Sequence, residues 1–231
     1  MKIITISDTH GKHNYFSDKL PEGDIIIHAG DSTPRGSQED IEEFLRWFGD
    51  LEYDMKILIA GNHDWDFERH PDHYQNLFDS YGVTYLNDSG CKYKGLKIWG
   101  SPVQPEFGRW AFNRARTESS IGKHWKLIPD DTDILITHGP PALILDVTQR
   151  SHENAGCGLL WYRIQQVKPS LHIFGHIHEG RGVVIDKKNG SPVTYNNASA
   201  LDVNYKPWDD DVFCFDWAKV ILGDSRGRDY N

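Results

Sequence analysis

The sequence predicts a layered α/β domain, on three observations. Short apolar runs recur along the chain, and most end in a small residue followed by polar ones. Helical periodicity falls between some of these runs. Hairpin-like strands gather late. Strands alternating with helices are the mark of sheet layers covered by helices.

The apolar runs are Lys2–Ser7, Asp24–His28, Lys56–Ala60, Leu96–Trp99, Asp133–Thr137 and Leu171–Phe174. Each is short and rich in Ile, Val or Leu, as expected of strands buried on both faces. Ile41, Phe44, Leu45 and Phe48 follow the i, i+3, i+4, i+7 spacing of a helix. Ser37 stands as its N-cap with Asp40 three residues on, and Gly49 as its stop. A second helix is expected over Gly158 to Val167, with Leu160, Ile164 and Val167 on one side and Pro169 just beyond. Val183–Ile185, Pro192–Tyr195 and Val212–Trp217 read as antiparallel strands, with Lys187–Ser191 as a turn. No repeat or linker interrupts the pattern, so one domain is expected over residues 1–222. The polar stretch Gly223–Asn231 reads as a frayed tail.

Composition narrows the function classes. Of the 231 residues, 38% are apolar and 26% charged, which fits a soluble globular chain. The eight Trp are expected in the core or in pocket walls. No apolar run approaches the roughly 18 residues needed to span a membrane. The first residues, Met1 to Ser7, are too short an apolar stretch for a signal peptide, so a cytoplasmic protein is expected. Cys91, Cys157 and Cys214 form no CxxC pair and are read as reduced packing residues. The net charge of −9 disfavours an extended nucleic-acid surface.

The chemistry lies just past the ends of the buried runs. Asp8-Thr9-His10 comes after the first, Gly30-Asp31 after the second and Gly61-Asn62-His63-Asp64 after the third. His138-Gly139-Pro140-Pro141 comes after Asp133–Thr137, and Gly175-His176-Ile177-His178 after Leu171–Phe174. Ligands bind beyond the carboxyl ends of strands in α/β sheets, so these segments are expected to share one crevice. Carboxylate, imidazole and amide oxygen together suit Mn²⁺, Fe or Zn²⁺ rather than Ca²⁺. Seven such ligands exceed the needs of one tetrahedral ion and suit two ions sharing a carboxylate. Glycines beside the ligands let the backbone turn tightly there.

Other residues read less sharply. His28 and His172 fall within strands, as core residues or as partners that orient ligands. His13, His70, His73 and His124 are expected at the surface. Asn113, Arg114 and Arg116 lie in a segment that either covers the crevice or is a solvated loop. Trp110 and Phe112 are candidates for stacking on a base or for the core. No nucleophile elbow, Walker A loop, His-Glu-x-x-His or dinucleotide glycine fingerprint is present.

Taken in order, Asp-x-His, Gly-Asp, Gly-Asn-His-Asp, His and Gly-His-x-His resemble the calcineurin-like metallophosphoesterase superfamily, over roughly residues 1–217. A finer resemblance is to the class III cyclic-nucleotide phosphodiesterase branch and its MPPED subgroup. It rests on Gly100–Pro105, Trp110–Asn113, Thr137–Pro141, His176–Gly180 and Asn197–Ser199. Some members of that subgroup have Gly where this chain has His176. Departures from the subgroup pattern lie mainly in Arg181 and the 146–156 loop.

The resemblance implies an α/β/β/α sandwich of two mixed sheets flanked by helices. It implies two divalent metal ions, with Asp8, His10, Asp31 and His178 at the first. Asp31, Asn62, His138 and His176 hold the second, and Asp31 bridges. In that reading a hydroxide between ions about 3.5–4 Å apart attacks phosphorus. His63 serves as general acid or as donor to a phosphoryl oxygen, with Asp64 orienting its ring. The expected substrate is a small phosphodiester or nucleotide, including cyclic nucleotides. A phosphomonoesterase or nuclease is the alternative enzyme, and a catalytically silent metal-binding interaction module the non-enzymatic one. These patterns do not select an oligomeric state.

Overall fold

The computed structural model describes the chain except residues 150, 189, 190, 225–227, 230 and 231. In the amino-terminal half, β1 (Lys2–Ile6), β2 (Ile25–Ala29), β3 (Met55–Ile59) and β4 (Val83–Tyr85) pair in parallel in that order. The second sheet begins with β5 (Ser89–Tyr93) and β6 (Leu96–Ser101). The short strands β7 (Gln104–Pro105) and β8 (Asn113–Arg114) pair apart from both sheets. β9 (Ile134–Thr137), β10 (Leu171–Phe174), β11 (Gly182–Asp186) and β12 (Val193–Asn197) complete most of the second sheet. Finally β13 (Phe213–Asp216) crosses back to pair antiparallel with β1, and β14 (Arg228–Asp229) pairs with β11. The sheet orders are β13-β1-β2-β3-β4 and β14-β11-β12-β10-β9-β6-β5. The helices are α1 (Gln38–Asp50), α2 (Trp65–Arg69), α3 (Gln75–Ser80), α4 (Ile121–Trp125), α5 (Gly158–Val167) and α6 (Trp217–Val220).

Side-chain alternation along the strands builds four layers. Ile3, Ile25, Ile27, Ile57 and Ile59 face Ile98, Ile134, Ile136, Leu171 and Ile173 across the inter-sheet core. The opposite face of the first sheet, with Ile4, Ile6, Ile26 and Leu58, packs on Ile41, Phe44, Leu45 and Phe48 of α1 and on Phe78 of α3. The opposite face of the second sheet, with Leu135, Phe174 and Tyr195, packs on Ile121 and Trp125 of α4 and on Leu160 and Ile164 of α5. This is the α/β/β/α sandwich of two mixed sheets. Each fully buried Ile contributes about 1.5–3 kcal/mol relative to exposure, so the apolar runs are what hold the layers together.

Local expectations hold at α1 and α5. The Ser37 side chain accepts from the Asp40 amide, and Lys168 ends α5 in the left-handed conformation. Four details differ. Gly49 lies inside α1, which runs on to Asp50; a Cβ there would come within 2.8 Å of Tyr81, so close packing explains the glycine. Val212–Trp217 supplies β13 of the first sheet rather than joining the β11–β12 hairpin. His13 is buried against Phe44 and Trp47 rather than exposed. His124 is largely enclosed, with Nδ1 2.6 Å from Asp88. Of the expected tail, 225–227, 230 and 231 lie outside the described residues, while Arg228–Asp229 form β14.

Candidate metal centre

Five strand ends from both sheets meet in one crevice. Asp8 and His10 follow β1, Asp31 follows β2, and Asn62 and His63 follow β3. His138 follows β9, and His176 and His178 follow β10. Backbone hydrogen bonds stitch these ends together: Asp8 N to Gly30 O (2.9 Å), His10 N to Asp31 O (3.0 Å) and Gly175 N to His138 O (2.9 Å). Asp8, His10, Asp31 and His176 all adopt positive φ, between 44° and 69°. Asp and His tolerate this region better than most residues, and such conformations gather at functional sites. At Gly30 (φ +99°) a Cβ would lie 2.5 Å from His138 Nδ1, so only glycine lets β2 turn this close to the imidazole.

The donor atoms converge in overlapping groups. Among the described residues, ligand atoms of Asp8, His10 and His178 lie within 4.8 Å of one another, as do those of Asp31, His138 and His176. Asp31 also groups with His10 and His63, so it reaches both sides. Its Oδ2 lies 3.8 Å from His10 Nε2 and 3.4 Å from His138 Nε2. His138 Nε2 lies 2.9 Å from Asn62 Oδ1, which brings Asn62 into the second group.

The second nitrogen of three imidazoles is tied to backbone. His138 Nδ1 donates to Ala29 O (3.0 Å), His178 Nδ1 to Asp202 O (2.9 Å) and His63 Nδ1 to Pro34 O (2.6 Å). These bonds set the tautomers and leave each Nε2 as the remaining ring nitrogen. His178 Nε2 then lies 3.2 Å from His10 Nε2, and His138 Nε2 lies 2.9 Å from Asn62 Oδ1. Imidazole, carboxylate and amide donors gathered this closely fit a pair of metal ions.

The electrostatics agree. Burial pushes His10 down to about 4 and His176 to about 3, so both are neutral at neutral pH, the form in which an imidazole can bind a metal. Burial works to raise the two carboxyls, but the surrounding imidazoles dominate. They hold Asp8 below the ordinary carboxylate range, and His138 above all holds Asp31 well below it. Burial would lower His138, yet Asp31, Asp8 and the Ala29 carbonyl raise it to about 9. The ion-free site therefore satisfies its negative charge with a proton on His138.

Sequence reasoning assigned Asp64 to the His63 ring, and the structure corrects this. His63 bonds Pro34, while the buried Asp64 carboxylate accepts from Gly61 N (2.9 Å) and from both the amide and hydroxyl of Ser32 and Thr33 (2.7–3.2 Å). Asp64 thereby clamps the β2 and β3 ends to each other. The His63 amide donates to Asp31 Oδ1 (2.7 Å), and its ring stacks on Trp110 at 4.3 Å. Phe112 is core, and Arg114 pairs with Glu68 at 2.9 Å. Arg116 lines the crevice, with its guanidinium bonded to the Ala155 and Gly156 carbonyls. His28 and His172 are fully buried and reach the site through threonines: His28 Nε2 lies 3.0 Å from Thr9 Oγ1, and His172 Nε2 2.8 Å from Thr137 Oγ1.

Two supports escaped sequence reasoning. Ser199 Oγ donates to Asp8 Oδ2 (2.9 Å), and an isolated bridge from Ser7 to Ser199 joins the two sheets there. Tyr205 sets its ring edge-on to His10 and His178, with centroids 4.9 and 5.3 Å away. The Asn197-Ala198-Ser199 stretch was visible as part of the finer resemblance; nothing local marked Tyr205. The crevice has a volume of about 550 Å³, and Phe107, Trp110, Arg116, Glu153 and Glu179 are among the residues that line it. No helix among the described residues is long and apolar enough to cross a membrane.

Comparison with known proteins agrees with this geometry. The family model described as calcineurin-like phosphoesterase matches residues 1–180. Human metallophosphoesterase domain-containing protein 1 is 39% identical over 228 residues, covering 89% of this chain and 68% of that protein. A Caenorhabditis elegans UPF0046 protein is 37% identical over 216 residues, covering 86% and 69%. The crystal structure of TT1561 of Thermus thermophilus shares the fold at 15% identity, with a TM-score of 0.62 over 92% of this chain and 99% of that one. Strand ends, converging donors and relatives together place this chain in the calcineurin-like phosphoesterase family.

Proposed function

We propose that this chain hydrolyses small phosphodiesters, with 2′,3′- or 3′,5′-cyclic nucleotides as the leading substrate class. Asp8, His10, Asp31 and His178 would hold one divalent ion. Asp31, Asn62, His138 and His176 would hold the other, with Mn²⁺ favoured and Fe or Zn²⁺ as alternatives. When bound, two such ions lower the pKa of water and polarise a phosphoryl oxygen.

The chain's own residues supply the rest. Pro34 fixes the His63 Nδ1 proton, so Nε2 is the atom that gains or loses a proton at the leaving oxygen. Trp110 stacks on the ring and holds its plane. Asp64 keeps the two loops that carry Asp31 and His63 in register.

The observation that carries the diester reading is the charge of the crevice. Among its described lining residues Arg116 is the one Lys or Arg, and both its terminal nitrogens already donate to backbone carbonyls. A monoester dianion asks for additional cationic partners; a diester carries a single charge. Glu153 and Glu179 at the same crevice disfavour a polyanionic nucleic acid.

The test is a panel on metal-reconstituted protein with Mn²⁺, Fe and Zn²⁺. Substrates are bis-p-nitrophenyl phosphate, p-nitrophenyl phosphate, cyclic nucleotides and single-stranded DNA. Turnover of diesters well above the monoester is expected. Monoester preference would move the reading to a phosphatase, and no turnover with any ion would favour a binding module.

A further inference from the structure

Two fully buried histidines stand at equivalent places in the two halves of the sandwich. His28 lies on the helix-facing side of β2, edge-on to Phe44 and Phe48 at centroid distances of 4.9 and 6.2 Å. His172 lies on the helix-facing side of β10, 5.0 Å from Phe174 and 5.9 Å from Tyr195. Both environments are apolar, and Nδ1 of each ring has no hydrogen-bond partner among the described residues. An aliphatic side chain would fill either position at lower cost, so the remaining nitrogen must account for the imidazole.

In both cases that nitrogen meets a threonine hydroxyl beside a metal-ligand position. Thr9 stands between Asp8 and His10; its hydroxyl donates to Ser32 O (3.3 Å). Thr137 immediately precedes His138; its hydroxyl donates to Gly139 O (2.8 Å). Each hydroxyl proton is thus committed to a carbonyl, and the imidazole Nε2–H must be the donor to the threonine oxygen. Burial pushes both histidines to about 3, so they stay neutral and keep this one-way arrangement. The relay at β2 binds the first ligand loop to the residue after Asp31, and the relay at β10 spans the His138 peptide.

We propose that His28–Thr9 and His172–Thr137 are paired positioning devices, each governing one ion of the pair: the first relay the Asp8/His10/His178 position, the second the Asn62/His138/His176 position. The proposal rests on the two-ion reading above.

Its test is a titration of ion-free protein with Mn²⁺, following free Mn²⁺ by electron paramagnetic resonance. His178→Ala and His138→Ala identify which binding step belongs to which position. Thr9→Val should weaken the step lost in His178→Ala by about tenfold and leave the other within twofold, and Thr137→Val should do the reverse. Thr9→Ser and Thr137→Ser keep the hydroxyl and should bind both ions within twofold of the parent chain. They also serve as the readout if a valine variant does not fold. Equal weakening of both steps, no weakening, or a loss in the serine variants matching that in valine would overturn the proposal. A parent chain with only one binding step would instead overturn the two-ion reading, and the proposal with it.

Discussion

The two proposed ion positions share Asp31 but are built differently. The first, around Asp8, His10 and His178, leans on side chains and on a loop. Ser199 Oγ holds Asp8, the Asp202 carbonyl holds His178, and Tyr205 flanks both imidazoles from the 202–206 turn. That turn is itself pinned by Asp202 Oδ1 accepting from the Asn204 and Lys206 amides. The second is set in the sheets: His138 has no exposure, and its Nδ1 bonds the Ala29 carbonyl of β2 across the sandwich. A site carried by strands keeps its geometry when surface loops move, whereas a site carried by a loop inherits the loop's mobility. The first ion should therefore exchange faster and leave first under a chelator.

The sharpest way to break this comparison is to remove what the two positions share. Asp31→Asn should lose both ions by elemental analysis and lower turnover by more than about 100-fold, beyond the effect of an outer partner. Retention of one ion would show that Asp31 does not bridge. His63→Ala should lower kcat by about 10²–10⁴-fold with metal content unchanged; parallel loss of metal would make His63 a ligand instead. Ser199→Ala should weaken only the first ion, by about tenfold, in the same Mn²⁺ titration.

Acid separates His138 from the other buried imidazoles. His28 and His172 titrate near 3 in the folded chain against about 6.5 unfolded, so between these values the unfolded chain binds protons that the folded chain refuses. Their neutral folded form is fully tolerated above about 6.5, and stability falls as pH drops from there toward 3. Each should cost up to about 1.4 kcal/mol per pH unit in that window. His172→Phe should flatten the dependence of the urea midpoint on pH. His138 has the opposite sign: raised to about 9, it is protonated in the ion-free chain at neutral pH. Metal uptake should then release one more proton below about pH 9 than above it, which calorimetry in buffers of differing ionisation heat measures.

Much of this was legible in the chain because one physical pattern repeats. Ile-rich strands must be buried, so the polar residues at their ends must gather where the sheets stop, and Asp8, Asp31, Asn62, His138 and His178 do. What was not legible depends on contacts between distant segments. Pro34 claims the His63 ring that Asp64 was expected to hold, because a carbonyl offers nothing in sequence to mark it. His13 is polar but buried, since α1 brings Phe44 and Trp47 over it. The short helices α2, α3 and α4 are too brief for periodicity to register.

The left-handed backbone at His176 has a consequence for how such a protein changes over generations. At φ 69°, most side chains are disfavoured and glycine is the residue most at home. Exchange of His176 for glycine would delete a proposed donor to the second ion without disturbing the path of the chain, and the reverse exchange would restore it. The backbone at this position thus accepts either residue, and a single substitution can change the donor set while leaving the scaffold untouched.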